Sequence, residues 1–260
     1  MLSALVVFGA LQVPVAEAGR LSPQSLQEFN NYTKKIEDRI ESRLKAKQVL
    51  WAEDAGRLEA VRKGEIAVEN LAGKRPIGIT GGLIHDWVGT IFIPGVNMQK
   101  LLGLLQDYDR HKSIYKPEVI GSKTLSREGD HFRIRFRLMK KKVITVVLDT
   151  DYDVTYRHVD SRRCFSRSIT TRMAEVENAG EQDERVGPPD TGHGFMWRLS
   201  TYWLMVEQDG GVYVECRAVS LSRGVPIGLN WMIQPIIGGL PRESLENTLR
   251  ITRETLTAKQ

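Results

Sequence analysis

The sequence predicts an α+β fold in which a curved antiparallel sheet of about seven strands is covered on one face by a long C-terminal helix. Six segments between residues 117 and 222 are rich in β-branched and aromatic residues, and most are separated by short turns, which favours antiparallel neighbours. A further β-rich run lies at 83–93. The chain then ends on an amphipathic stretch from Leu240 to Thr257, whose apolar stripe must pack on a sheet.

The first residues have the pattern of a secretory signal. Residues 2–13 are apolar but too few to span a bilayer, and Ala16-Glu17-Ala18 supplies the small-x-small pattern of a signal-peptidase site. We therefore expect residues 1–18 to be a signal peptide and the mature protein to be secreted or periplasmic. Because no basic residue precedes the apolar run, an uncleaved anchor stays open as the alternative.

Residues 19–82 are predicted to form a helical extension followed by a linker. Apolar side chains recur at helical spacing between residues 21 and 62, which predicts one or two surface helices. The glycine-rich stretch at 70–82 then interrupts the chain, so we place the compact domain at 83–260. The extension either packs on this domain or provides a surface that binds a partner or a membrane.

Within the domain, the predicted elements follow one another in a simple order. The strand at 83–93 ends at Pro94-Gly95, and residues 97–111 have the periodicity of a helix. The remaining strands are predicted at 117–125, 130–140, 142–156, 162–177, 193–207 and 211–222. The polar stretch at 178–192 is predicted to be a loop.

The last two strands form a predicted hairpin. Its turn carries Asp209-Gly210, a dipeptide typical of two-residue hairpin turns, and the resulting register places Trp203 opposite Cys216. Because side chains alternate between the two faces of a strand, large and small residues share one face: Phe195, Trp197, Leu199, Thr201, Trp203, Met205, Val214, Cys216, Ala218 and Ser220. On the opposite face, we expect Glu215 and Arg217 to form an ion pair.

The small residues on this face leave space between the sheet and the helix. A tightly packed sheet would carry branched aliphatic side chains there, whereas Thr201, Ala218 and Ser220 are small. Tryptophans frame the space, and an apolar pocket with a few hydroxyl groups suits a hydrophobic ligand. The alternative is that long side chains of the helix fill the space.

The strand at 130–140 alternates apolar and basic residues. Its apolar side chains are expected to face inward: Phe132, Ile134, Phe136 and Leu138. Its polar side chains are expected to face outward: His131, Arg133, Arg135 and Arg137. These arginines either receive phosphate head groups or pair with the acidic residues of the next strand: Asp149, Asp151 and Asp153.

Charge, cysteine content and missing motifs limit the functional classes. Lysine and arginine exceed aspartate and glutamate by 37 − 32 = +5, a balance that suits an anionic membrane surface, and secretion disfavours nucleic acid as the partner. Cys164 and Cys216 lie on strands that the strand at 193–207 separates, so we expect both thiols to be free. The histidines are scattered, and no phosphate-binding loop or nucleophile motif occurs, so no metal, cofactor or catalytic residue is predicted.

Three stretches resemble the START-like, or SRPBCC, superfamily. QDYDRHKSIYKPEV at 106–119 is similar to the family's small helices before its second strand, and residues 219–235 and 240–253 are similar to its last strand, kinked junction and gripping helix. The resemblance covers residues 83–257 and implies a helix-grip fold, in which the sheet wraps around the C-terminal helix over a cavity. Members of the family bind lipids, sterols, polyketides or plant hormones there, and a minority catalyse cyclisation or aromatisation.

Together, these observations predict a protein that binds and transfers a hydrophobic small molecule, most plausibly a lipid. The cavity would be lined by residues of the sheet and the helix: Phe132, Ile134, Phe136, Trp197, Leu199, Thr201, Trp203, Val214, Cys216, Ala218, Ser220, Trp231, Leu245 and Leu249. We expect the segment with Pro235, Gly238, Gly239 and Pro241 to act as a hinge. A cyclase or aromatase acting in the same cavity, and a partner-binding module with a filled cavity, stay open as alternatives.

Overall fold

The structure, a computed structural model, describes residues 19–46, 49–141, 145–224 and 230–258, with the backbone alone for 230–238. The helices are α1 (Pro23–Leu44), α2 (Trp51–Asp54), α3 (Leu58–Arg62), α4 (Met98–Leu105), α5 (His111–Ile114) and α6 (Asn230–Thr257). The strands are β1 (Gly19–Arg20), β2 (Ala67–Asn70), β3 (Ile77–Ile79), β4 (Gly82–Pro94), β5 (Val119–Glu128), β6 (His131–Lys141), β7 (Thr145–His158), β8 (Arg163–Glu177), β9 (Arg185–Val186), β10 (Thr191–Gly192), β11 (Arg198–Gln208) and β12 (Gly211–Arg223). The predicted helix at 97–111 is thus divided into α4, a 3-10 turn at Tyr108–Arg110 and the start of α5.

One antiparallel sheet forms the centre of the fold. Its strands follow the order β2-β4-β12-β11-β8-β7-β6-β5, with β3 paired to β4 and β9 paired to β8. Seven of these strands are long, and β2, β3 and β9 are short. Because the C-terminal helix α6 packs on one face of this sheet, the predicted α+β class and the helix-grip arrangement are confirmed.

The hairpin of β11 and β12 has the predicted register. Asp209 and Gly210 have φ angles of 56° and 74°, as expected for a hairpin turn with two left-handed residues. Trp203 therefore lies opposite Cys216. On its other side β12 pairs with the whole of β4, so that β4, β12 and β11 form a continuous surface.

Side chains are buried on both faces of the sheet. We call the face that packs against α4 and α6 the inner face, and the face that packs against α1, α2 and α3 the outer face. The inner cluster includes Leu245 and Leu249 of α6, and the outer cluster includes Phe29 and Ile36 of α1. Of the two alternatives predicted for the extension, the described contacts therefore favour packing on the domain.

The sequence of α1 accounts for its position. Ser22 caps the helix by accepting a hydrogen bond from the backbone N–H of Ser25 at 3.0 Å, and Pro23 occupies the first turn. Phe29, Ile36 and Ile40 then recur at helical spacing and are buried. The helix presents one apolar face to the sheet over its whole length.

The outer face also contains buried charged groups. Asp86, which is 0% exposed, accepts hydrogen bonds from Arg217 at 2.9 and 2.5 Å and from the Tyr32 hydroxyl at 2.7 Å. Glu215 accepts a hydrogen bond from Arg43 of α1 at 3.2 Å. The expected ion pair between Glu215 and Arg217 is therefore wrong, because β4 and α1 supply each of them with a different partner.

The strand predicted at 193–207 begins later than expected. Gly194 has a φ angle of 74°, which lies outside the extended region of a regular strand. Regular strand geometry begins only at Arg198. The alternation of side chains between the two faces, predicted from residue 195 onward, is therefore wrong for residues 195–197.

The C-terminal helix begins earlier than expected. It starts at Asn230 rather than at Leu240, so the segment predicted as a hinge, 235–241, lies within the helix. The signal peptide predicted at 1–18 lies outside the described residues. Within the described ranges, no helix is long and apolar enough to cross a bilayer.

Candidate ligand-binding face

The inner face has a filled part and a more open part. In the filled part, Leu245 and Leu249 of α6 pack over Gly89 of β4. A Cβ atom at residue 89 would lie only 2.7 Å from Cδ1 of Leu249 and 3.3 Å from Cδ2 of Leu245. The missing side chain of Gly89 therefore lets α6 approach the sheet closely.

Tyrosine side chains complete the filled part. The hydroxyl groups of Tyr108 and Tyr156 hydrogen-bond to each other at 2.8 Å, and the hydroxyl of Tyr115 pairs with that of Thr252 in α6 at 3.0 Å. Burial raises the pKa of Tyr115 to about 12, so this phenol is neutral near neutral pH. The pair of Tyr115 and Thr252 joins the C-terminal half of α6 to the segment that precedes β5, and the pair of Tyr108 and Tyr156 joins the 3-10 turn to β7.

The more open part lies on β4, β12, β11 and β8, and we call it the open patch. It consists of half-buried, uncharged residues: Trp87, Ser168, Leu199, Thr201, Trp203, Ala218 and Ser220. Cross-strand pairing places four of them in one row: Trp87, Ala218, Thr201 and Ser168. Three of them also pack on the inner cluster: Trp87, Leu199 and Trp203. The open patch thus continues the core without being fully covered.

The hydroxyl groups of the open patch are available for bonding. No described residue forms a hydrogen bond with the side chains of Ser168, Thr201 or Ser220. The nearby hydroxyl of Thr170 differs, because it bonds both the backbone N–H and the backbone O of Leu199, at 2.9 and 2.7 Å. An apolar surface with unassigned hydroxyls can hold the body of a hydrophobic molecule and one of its polar groups.

Most of the predicted cavity residues lie on the inner face. Six belong to the buried inner cluster: Phe132, Ile134, Val214, Cys216, Leu245 and Leu249. Six others are half-buried: Phe136, Leu199, Thr201, Trp203, Ala218 and Ser220. The side chain of Trp231 lies outside the described residues. Five residues of the predicted set belong to the open patch, and all five lie on β11 or β12: Leu199, Thr201, Trp203, Ala218 and Ser220.

Trp197 lies on the other face of the sheet. It is 4% exposed and belongs to the outer cluster. In the irregular segment before Arg198 its ring packs against Gly194, where a Cβ atom would lie 3.0 Å from Cζ2 of the indole. Its assignment to the cavity, which assumed a continuous strand, is corrected.

The sequence reasoning missed three inner-face residues: His85, Trp87 and Ser168. Alternation within β4 places His85 and Trp87 on one face, and this signal was present in the sequence. The position of β4 beside β12 is a long-range pairing that no local turn encodes. Without that pairing, neither residue could be connected to the hairpin.

The arginines of β6 are paired with acidic neighbours. Nε of Arg135 donates to Asp151 at 2.6 Å, and Nε of Arg137 donates to Asp149 at 2.8 Å, both across the β6–β7 pair. The hydrogen bond from Arg135 lowers the pKa of Asp151. Of the two alternatives for this strand, cross-strand pairing is confirmed for Arg135 and Arg137.

Cys164 and Cys216 are free thiols, as predicted. They lie on β8 and β12, which β11 separates. Burial raises the pKa of Cys164 to about 11, so this thiol is protonated near neutral pH. Among the described residues, histidine, cysteine, aspartate and glutamate side chains form no group of three that could hold a metal ion.

The strands and α6 together form a helix-grip arrangement, and three solved structures resemble the chain at low sequence identity. A STAR-related lipid transfer protein fragment from Xanthomonas axonopodis is 16% identical with a TM-score of 0.45, over 75% of this chain and 99% of that one. The Zhui aromatase/cyclase from a Streptomyces species is 8% identical with a TM-score of 0.45, over 66% and 93%. Human STARD10 is 10% identical with a TM-score of 0.44, over 81% and 82%. No protein-family model and no curated protein sequence matches the chain.

Proposed function

We propose that this protein binds a hydrophobic small molecule, specifically a lipid, between the open patch and α6, and that it transfers this molecule without changing it chemically. The observation that supports this most directly is the open patch itself. Its tryptophans and Leu199 are half-buried on a face whose other part is fully packed. Covering such apolar surface stabilises a complex by about 25 cal/mol per Å².

The chemistry of the open patch suits a lipid. Its residues are uncharged, so an apolar chain that covers them leaves no charged group without water. The free hydroxyls of Ser168, Thr201 and Ser220 provide partners for one polar group. A molecule with a long apolar body and a polar end meets both conditions.

The proposal also includes a secreted or periplasmic location and contact with a membrane surface. The apolar run at 2–13 with its small-x-small site supports a secreted or periplasmic protein. The net charge of +5 supports transient contact with anionic lipid surfaces, where a lipid carrier must load and unload.

The alternatives have less support. A partner-binding role for residues 21–62 needs exposed apolar side chains, whereas Phe29, Ile36 and Ile40 are buried against the sheet. A cyclase or aromatase needs a group that transfers protons to the ligand. The open-patch residues carry no titratable side chain, and burial lowers the pKa of His85 at its border to about 4. Transfer is therefore favoured over turnover.

The proposal is tested by filling the open patch. Ala218→Trp places a large ring between Trp87 and Thr201, its two cross-strand neighbours, and should lower the affinity for a fluorescent sterol or fatty-acid probe by about 10-fold or more. Overpacking should also cost about 1–3 kcal/mol of stability. Probe fluorescence measures binding, and circular dichroism measures folding.

The matched control is Ala55→Trp, the same substitution at an exposed position after α2. It should bind the probe as the wild type does. If a folded Ala218→Trp variant binds as tightly as this control, the ligand is not held at the open patch. If the wild type takes up no apolar probe, the proposed function is wrong.

A further inference from the structure

His85 lies at the border of the open patch. It precedes Trp87 by two positions in β4 and so shares its inner face, and its cross-strand partner is Ser220 of the open patch. The residue is only 5% exposed. Its Nε2 lies 3.0 Å from Oγ of Ser222, which fixes the ring at this position.

One ring nitrogen of His85 has no partner among the described residues. The hydrogen bond with Ser222 uses Nε2, which donates in one tautomer and accepts in the other. Nδ1 is then an acceptor in the first tautomer and an N–H donor in the second. Nδ1 is not among the described polar atoms that are both unbonded and cut off from solvent, so a ligand group can reach it and form a hydrogen bond there.

The surroundings of His85 favour a neutral ligand group. Burial lowers the pKa of His85 to about 4, so the imidazole is uncharged near neutral pH. The neighbouring open-patch residues are uncharged as well. A carboxylate or phosphate bound here would lose its hydration without meeting a cation. A hydroxyl or a carbonyl would lose less hydration free energy and would gain hydrogen bonds.

We infer that Nδ1 of His85 and the hydroxyl of Ser220 form a recognition site for a neutral hydroxyl or carbonyl group of the ligand. A hydroxyl fits either tautomer because it both donates and accepts, and a carbonyl fits the tautomer with Nδ1–H. The ligand class is therefore long-chain or polycyclic alcohols and esters, rather than molecules with an anionic end. This inference rests on the proposed function, because it assigns the polar end of the molecule that the open patch binds.

The first experiment compares ligands with similar hydrocarbon chains and different ends. 1-Octadecene, oleyl alcohol, methyl oleate and oleyl phosphate each compete with a fluorescent sterol probe on the full mature chain near neutral pH. We expect the alcohol or the ester to bind about 10-fold more tightly than both the hydrocarbon and the phosphate, which corresponds to one well-made hydrogen bond. The difference between the alcohol and the ester shows which neutral group is preferred.

The second experiment removes the ring nitrogen. His85→Leu should lower the affinity for the preferred neutral ligand by about 10-fold and leave that for 1-octadecene within about 2-fold. The control His158→Leu makes the same change at an exposed histidine of β7 and should change neither affinity. If circular dichroism shows that His85→Leu is not folded, Ser220→Ala at a half-buried position replaces it. This variant should lower the affinity for the preferred neutral ligand by about 3-fold.

The results separate this inference from the function on which it rests. If oleyl phosphate binds as tightly as the neutral ligands, or if the folded variant keeps the preference, the recognition site is wrong while lipid binding stands. If the probe itself does not bind to the wild type, the proposed function is wrong. A preference that is lost in His85→Leu, or reduced about 3-fold in its replacement Ser220→Ala, and kept in His158→Leu would establish the site.

Discussion

The two faces of the sheet bury side chains in chemically different ways. The outer face encloses carboxylates: Asp86 is 0% exposed and pairs with Arg217 and Tyr32, and Glu215 is 4% exposed and pairs with Arg43. The open patch of the inner face contains no charged residue. Because a buried charge that loses its partner costs several kcal/mol, the outer face must stay closed. The inner face can exchange water for a ligand without such a cost.

Further contacts show how firmly the outer face is closed. Glu37 of α1 accepts hydrogen bonds from Arg167 at 2.8 Å and from Tyr202 at 3.0 Å. The backbone N–H of Trp51 donates to Glu215 at 2.5 Å. The extension therefore contributes buried side chains to the outer cluster, and its polar contacts align it on the sheet.

The largest effect is expected at Arg217, because Arg217→Met removes a partner from a fully buried carboxylate. The variant leaves Asp86 with the Tyr32 hydroxyl, and breaking a buried pair in this way costs about 3–5 kcal/mol. Urea unfolding followed by circular dichroism should show a midpoint lowered accordingly. The double variant Asp86→Asn/Arg217→Met should recover part of the loss, because the unpaired charge is gone. If Arg217→Met unfolds at the wild-type midpoint, the outer face is not closed by this pair.

Local sequence signals were enough to predict most of the long strands and the register of the hairpin. Asp209-Gly210 determined the register of β11 and β12, because few residues adopt the two left-handed conformations that this turn requires. The alternation in β6 likewise placed Arg135 and Arg137 on one face, and pairing with the acidic residues of β7 was one of the two alternatives predicted for them. Both features depend on neighbours that a short turn brings together.

Features that depend on distant or irregular parts of the chain could not be predicted. The face of Trp197 depends on how Gly194 interrupts the predicted strand, and glycine tolerates many conformations. The partners of Glu215 and Arg217 come from α1 and β4, which are far away in the sequence. The open patch itself needs β4 beside β12, and only the folded sheet provides that contact.

An intermediate effect is expected where α6 closes the filled part of the inner face. Gly89→Val adds a branched side chain where even a Cβ would lie 2.7 Å from Cδ1 of Leu249, so we expect a loss of about 1–3 kcal/mol in the free energy of unfolding. The matched control is Gly78→Val in β3, where an added Cβ has no neighbour within 4 Å. Equal stability of the two variants in urea would show that α6 does not need this close approach.

The smallest effect is expected at Thr201, within the open patch. Thr201→Val keeps the shape of the side chain and removes a hydroxyl that bonds to no described residue, so the free energy of unfolding should change by less than about 0.5 kcal/mol. Thr170→Val makes the same change to a buried hydroxyl that bonds the N–H and O of Leu199, and it should cost about 1–3 kcal/mol. Urea unfolding of both variants measures the difference directly. If Thr201→Val costs as much as Thr170→Val, the Thr201 hydroxyl has a partner within the fold, and this part of the inner face is as closed as the outer one.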